Sequence, residues 1–72
     1  MDRPLEILEK AINKPILLKL KGKRELRGIL RSYDQHLNLF LENAEQISED
    51  GELEELGSII LRGDNVILVS PP

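Results

Sequence analysis

Apolar residues recur at helical spacing in the first part of the chain and at strand spacing afterwards. Leu5, Leu8 and Ile12 fall on one face of a helix over residues 4 to 12, with Ile7 and Ala11 beside them. Asp2 is placed to cap its start, Pro4 suits its first turn, and Asn13-Lys14-Pro15 ends it. Ile16, Leu18 and Leu20 then alternate with Leu17, Lys19 and Lys21, which predicts a strand over 16–21 and a hairpin turn at Gly22-Lys23. A second strand is predicted over 24–33, with Leu26, Leu30 and Ser32 on one side and Arg27, Ile29, Arg31 and Tyr33 on the other. Gly28 in its middle marks a bulge or bend. A third strand spans 37–47, where Leu37, Leu39 and Leu41 alternate with Asn38, Phe40 and Glu42. Ser48-Glu49-Asp50-Gly51 is a turn, and the fourth strand covers 53–62 with Gly57 as a second bend. Arg62-Gly63-Asp64-Asn65 reads as a tight turn before a fifth strand over 66–70. One helix followed by five short strands with bend glycines predicts a mainly β fold, a small and partly open barrel.

Size changes this picture. The 72 residues make one domain, and a monomer this small buries only about 60% of its unfolded surface. Such chains need disulfides, a metal or partners. There is no Cys and one His, so disulfides, thiolate metal sites and multi-His sites are excluded. Self-association is the remaining remedy. Runs such as Ile16-Leu17-Leu18 and Ile59-Ile60-Leu61 support it, because a lone small sheet would alternate more strictly. The outer strands carry no proline or inward charge to blunt them. Edge pairing between copies that repeats one rotation closes into a ring. No run approaches the ~20 apolar residues of a membrane span, and Met1-Asp2-Arg3-Pro4 does not read as a signal peptide, so a cytoplasmic, membrane-free protein is expected.

The formal charge of −3 argues weakly against a nucleic-acid partner, but its distribution does not. Seven of the 13 acidic residues lie between Glu42 and Glu55, so the rest of the chain carries six acidic against ten basic ones. An acidic patch in one place and a basic surface elsewhere is compatible with RNA binding. Two short polar stretches carry the suitable chemistry: Asp34-Gln35-His36-Leu37-Asn38, and Arg62-Gly63-Asp64-Asn65 after Leu61. His36 offers a flat ring and Arg62 a flat guanidinium. Between them a base can be stacked while Asn38 or Asp64 hydrogen-bonds its edge. An amide presents donor and acceptor together, so Asn38 can hydrogen-bond the edge of a base.

The stretch from Gly28-Ile29-Leu30 through Asp34 to His36-Leu37-Asn38-Leu39 and Leu41 resembles the first motif of the Sm and Sm-like proteins. Leu61-Arg62-Gly63-Asp64-Asn65-Val66 resembles the second. The resemblance spans nearly the whole chain, with the first motif inside residues 16–47 and the second inside 53–70 of a single 1–72 domain. His36 and the absence of an Arg-Gly tail look most like the archaeal Sm-like proteins. Arg62-Gly63-Asp64 stands where the bacterial Hfq branch carries Lys-His. The resemblance implies a helix-capped, strongly bent antiparallel sheet of five strands, its fourth strand pairing with the fifth of the next subunit. It implies a ring, most often a homoheptamer, that binds single-stranded uridine-rich RNA at its central hole in RNA processing or ribonucleoprotein assembly. RNA-processing proteins are then further partners.

On this reading His36, Asn38, Arg62, Gly63 and Asp64 bind RNA. Gly63 lets the backbone turn and come close to the ligand. Asp34 orients Asn38 or Arg62 through a hydrogen bond, Leu37 supports the first loop, and Asn65 holds the second turn. Arg3 and Tyr33 form a candidate second RNA contact, and Lys19, Lys21, Lys23, Arg24, Arg27 and Arg31 could supply phosphate contacts. The acidic run 42–55 lacks the alternating ligands and fixed Gly of a calcium loop and reads as a solvated hairpin tip. No metal, cofactor or catalytic set is legible: His36 has no Cys and no Ser at a nucleophile-like turn, so the chain is not read as an enzyme. The alternative is a scaffold ring whose outer face docks other proteins, which the acidic hairpin would serve.

Overall fold

The computed structural model describes residues 4–71. Helix α1 runs Pro4–Lys10, shorter than the predicted 4–12 because residues 11–13 turn away from it. Asn13 takes the left-handed conformation (φ 67°) that an Asn tolerates. Its N–H donates to the carbonyl of Leu30 at 2.7 Å, and the Leu30 N–H returns a bond to the Lys14 carbonyl at 3.1 Å, so the chain leaves the helix already docked on the sheet. Leu8 and Ala11 are buried and Ile12 half-buried, but Leu5 remains 40% exposed, so the helix buries a narrower stripe than its spacing predicts. The predicted cap Asp2 and the candidate contact Arg3 lie outside the described residues.

Five strands follow: β1 (Pro15–Leu20), β2 (Arg24–Tyr33), β3 (Leu39–Ile47), β4 (Leu53–Leu61) and β5 (Val66–Ser70), with a 3-10 turn at Gly63–Asn65 before the last. They form one antiparallel sheet in the order β4-β3-β2-β1-β5. The predicted alternation is clear in β1, where Ile16, Leu18 and Leu20 are buried and their neighbours exposed. With Leu26, Leu30, Leu39, Leu41, Ala44, Leu8 and Ala11 they make the core.

The sheet bends where the glycines predict. The β2–β3 register slips between Arg27 and Ile29, across Gly28. A Cβ there would come within 3.2 Å of Ala44 Cα and 3.3 Å of the Glu42 carbonyl oxygen, so Gly28 permits close backbone packing at the bend. Gly57 sits opposite Ala44, between two register shifts of β3–β4, with φ 73°, a conformation that costs Gly little.

One boundary differs from expectation with consequence for the site. Strand β3 begins at Leu39, not Leu37. Leu37 takes a left-handed conformation (φ 62°) inside the preceding loop and is 38% exposed, so it ends a turn instead of starting a strand. Both outermost strands leave bulky apolar residues open within one chain. Ile60 on β4 is 75% exposed, and Ile67, at the irregularity where β5 pairs with β1, is 67% exposed.

Candidate nucleic-acid interface

The β2–β3 loop is closed by backbone bonds and then by one carboxylate. The Asp34 N–H donates to the Asn38 carbonyl, and the Leu37 N–H to the Asp34 carbonyl, both at 3.1 Å. Asp34 Oδ1 accepts from the backbone N–H of His36 (2.8 Å) and of Asn38 (3.1 Å). Its Oδ2 accepts from Asn38 Nδ2 at 2.9 Å. Bonds that need the ionised carboxylate, that from the Asn38 side chain first, lower the Asp34 pKa below its ordinary 3.8 despite some desolvation. Of the two partners expected for Asp34, it orients Asn38. Arg62 turns elsewhere.

The β4–β5 turn meets this loop at two points. The Gly63 N–H donates to Asn38 Oδ1 at 2.8 Å, in a half-buried position. A side chain on Gly63 would run into the carbonyl oxygen of His36 and would lie 3.1 Å from the carbonyl carbons of both His36 and Leu37. Gly63 is therefore required by the approach of the two loops, not by a positive φ, and its first contact is protein backbone. The main chain of Asn65 closes the turn: its N–H donates to the Arg62 carbonyl and its carbonyl accepts from the Lys21 N–H, each at 3.0 Å.

The arrangement brings His36, Asn38 and the segment Arg62–Asp64 together from distant parts of the sequence. His36 is exposed, and its backbone N–H is held by Asp34. Arg62 and Asp64 pair with each other at 3.2 Å while remaining 78% and 61% exposed. That is a weak surface ion pair, which leaves the guanidinium open to solvent on its faces. The signal that sequence reading missed is the Asn38–Gly63 bond, since a backbone N–H has no residue-type signature.

Tyr33 packs half-buried against the core, and its hydroxyl donates to the Leu5 carbonyl at 3.1 Å, fastening β2 to the helix. Several of the basic candidates already have partners: Arg27 pairs with Glu45 at 3.1 Å, Arg31 with Glu42 at 3.4 Å, and Lys19 with Glu25 at 3.9 Å. Among the described residues no three His, Asp or Glu side chains converge as metal ligands, and no helix is long and apolar enough to cross a membrane.

Comparison with known proteins gives a consistent result. The profile of the LSM domain matches residues 6–71. An snRNP Sm-like protein of Methanosarcina barkeri is 50% identical over 70 residues, covering 97% of each chain. The crystal structure of a heptameric archaeal Sm protein superposes with a TM-score of 0.88 at 46% identity, covering 93% of this chain and 97% of that one. The Pyrococcus abyssii Sm protein, solved in complex with a uridine heptamer, superposes at 0.92 with 41% identity, covering 99% of this chain and 100% of the other.

Proposed function

This chain belongs to the LSM-domain family, and on that premise we propose that it assembles into a homoheptameric ring binding single-stranded, uridine-rich RNA at the loops of residues 34–38 and 62–65. The observation that carries the reading is the Asn38 side chain, bonded at once to Asp34 and to Gly63, which joins the two polar loops into one surface. His36 and Arg62 supply the flat groups that stack a base, and Asn38 the amide that recognises its edge. Asp34, Leu37 and Asn65 hold the frame. Two further facts support the ring. The edge strands expose Ile60 and Ile67, and a relative 46% identical is heptameric. Burying two apolar strand edges supplies the stabilisation that a chain of this size lacks alone. The uridine ligand is supported by the relative solved with a uridine heptamer. On this reading the ring acts in RNA processing or ribonucleoprotein assembly.

Native mass spectrometry together with fluorescence-polarisation titration of labelled oligouridine tests the proposal. The expected result is a seven-subunit species that binds micromolar or tighter, with affinity falling steeply as salt rises. A monomer, or a ring indifferent to oligouridine, would overturn it. The second outcome would leave the scaffold ring as the reading.

A further inference from the structure

We propose that the tip of the β1–β2 hairpin, through Lys21, Lys23 and Arg24, holds the phosphate backbone of RNA that flanks the uridine tract. The inference rests on the oligouridine reading and adds a second contact surface, outside the base-binding loops.

Along the paired strands the cations of this region face carboxylates. Lys19 lies opposite Glu25 across β1 and β2, and Arg27 opposite Glu45 across β2 and β3, and both pairs close, at 3.9 and 3.1 Å. Arg31 reaches Glu42 at 3.4 Å. At the tip this matching stops. Lys21, Lys23 and Arg24 stand within four residues of one another, all exposed, and among the described residues none of the three has an ion pair. Carboxylates are close along the chain path, because the pairing of Glu25 with Ile47 sets the acidic turn at 48–52 beside the start of β2. Asp50 of that turn is engaged by Ser48, and none of its carboxylates closes on Arg24.

The tip is fixed and open. Gly22 and Lys23 both take the left-handed conformation (φ 82° and 60°) that reverses a chain tightly between two strands. Nothing lies within 4 Å of where a Cβ on Gly22 would stand. A recess of about 410 Å³ is lined by Lys19, Lys23 and Arg24 among others. Three like charges held close repel one another, and an anion from outside relieves that repulsion.

Position identifies the anion. The Lys21 N–H donates to the Asn65 carbonyl at 3.0 Å, so the tip begins beside the turn at 62–65 that the oligouridine reading uses. RNA leaving that turn carries a phosphate at every nucleotide. Lys and Arg contact phosphates without reading bases, so this surface accepts a flank of any sequence. A ring repeats the tip in every copy, and a flank leaving any pocket meets one.

The test uses two labelled RNAs, a uridine heptamer and the same heptamer extended by abasic ribose-phosphates, which add charge without bases. Each is titrated against the full-length wild-type protein and the triple variant Lys21→Gln, Lys23→Gln, Arg24→Gln. We expect wild type to bind the extended RNA about tenfold tighter at low salt, and the variant to lose that gain, with a shallower salt dependence, while heptamer affinity stays within about twofold. A wild-type protein that gains nothing from the extension overturns the proposal and leaves oligouridine binding intact. Equal losses for both RNAs overturn it too. A wild-type protein that does not bind the heptamer overturns the underlying reading. Native mass spectrometry checks assembly, and a double-ring species lost in the variant with RNA affinities unchanged assigns the tip to contacts between copies instead. If the variant does not assemble, lysine acetylation of the wild-type protein decides. Protection of Lys21 and Lys23 by the extended RNA but not by the heptamer supports the proposal, and equal labelling with both overturns it.

Discussion

The loop at 34–38 and the hairpin tip at 48–52 are built from similar parts and do different things. Each is a short polar turn in which an Asp carboxylate accepts side-chain and backbone hydrogen bonds, and each Asp has its pKa lowered by them, with the bond from Asn38 largest for Asp34 and that from Ser48 largest for Asp50. In the hairpin tip every bond stays inside the turn. The Ser48 hydroxyl meets Asp50, the Glu52 N–H donates to Ser48 Oγ at 3.1 Å, and the Ser48 N–H donates to the Glu52 carbonyl at 2.9 Å. In the other loop the chain of bonds continues through Asn38 to Gly63, which is 25 residues away in sequence. A turn that satisfies itself only reverses the chain. A turn that needs a remote loop creates a surface composed of both, and here that surface holds His36 and Arg62.

The largest effect should come from blocking the meeting of the loops. Gly63→Ala places a methyl group against the His36 carbonyl and must displace one loop from the other. Oligouridine binding should be lost entirely while far-UV circular dichroism keeps the β signature. Retained binding would show that loop contact is unnecessary.

Arg62 comes next. If its plane stacks on a base, Arg62→Lys should fail nearly as badly as Arg62→Ala, by about 1–3 kcal/mol per base contacted. If it serves as a phosphate counter-charge, Lys should preserve most of the affinity and its salt dependence. Loss should be greater for a long oligouridine than for one spanning a single pocket, because avidity compounds around a ring.

Acid gives a smaller and slower change. The Asp34 pKa is lower folded than its ordinary 3.8, so the loop gains stability from this group above that value. It loses the gain as pH falls through the still lower folded pKa. Asn38 side-chain resonances should hold constant down to about pH 4 and shift only below it. A transition well above that pH would mean the carboxylate is not held by these bonds.

The smallest effect belongs to the hairpin tip. Ser48→Ala should move the melting temperature by no more than about 4 °C and leave oligouridine affinity unchanged. A weakened affinity would bring this tip into the binding surface and erase the contrast between the two loops.

Much of this molecule is determined by short-range rules that the chain displays openly. Period-two alternation sets which face of β1 is buried. Gly22-Lys23 and Ser48–Gly51 place the hairpin turns, and Gly28 and Gly57 mark the bends, because a missing Cβ is itself a local fact. The residue types of the site were visible for the same reason: His, Asn, Arg and Asp declare their chemistry wherever they stand. What the chain could not declare is how those residues are held. Leu37 looked like the first residue of a strand because it continues the alternation with Leu39 and Leu41. Only the closure of its loop by Asp34 turns it to φ 62°. Leu5 shares a helical face with Leu8 yet stays exposed, since the depth of burial depends on where the sheet lies beneath the helix. Gly63 is fixed by the carbonyl of a residue far off in sequence, and Asn38 is bonded on one side by a backbone N–H that every residue but proline possesses. Those contacts exist only after the sheet bends enough to bring the β2–β3 and β4–β5 loops together.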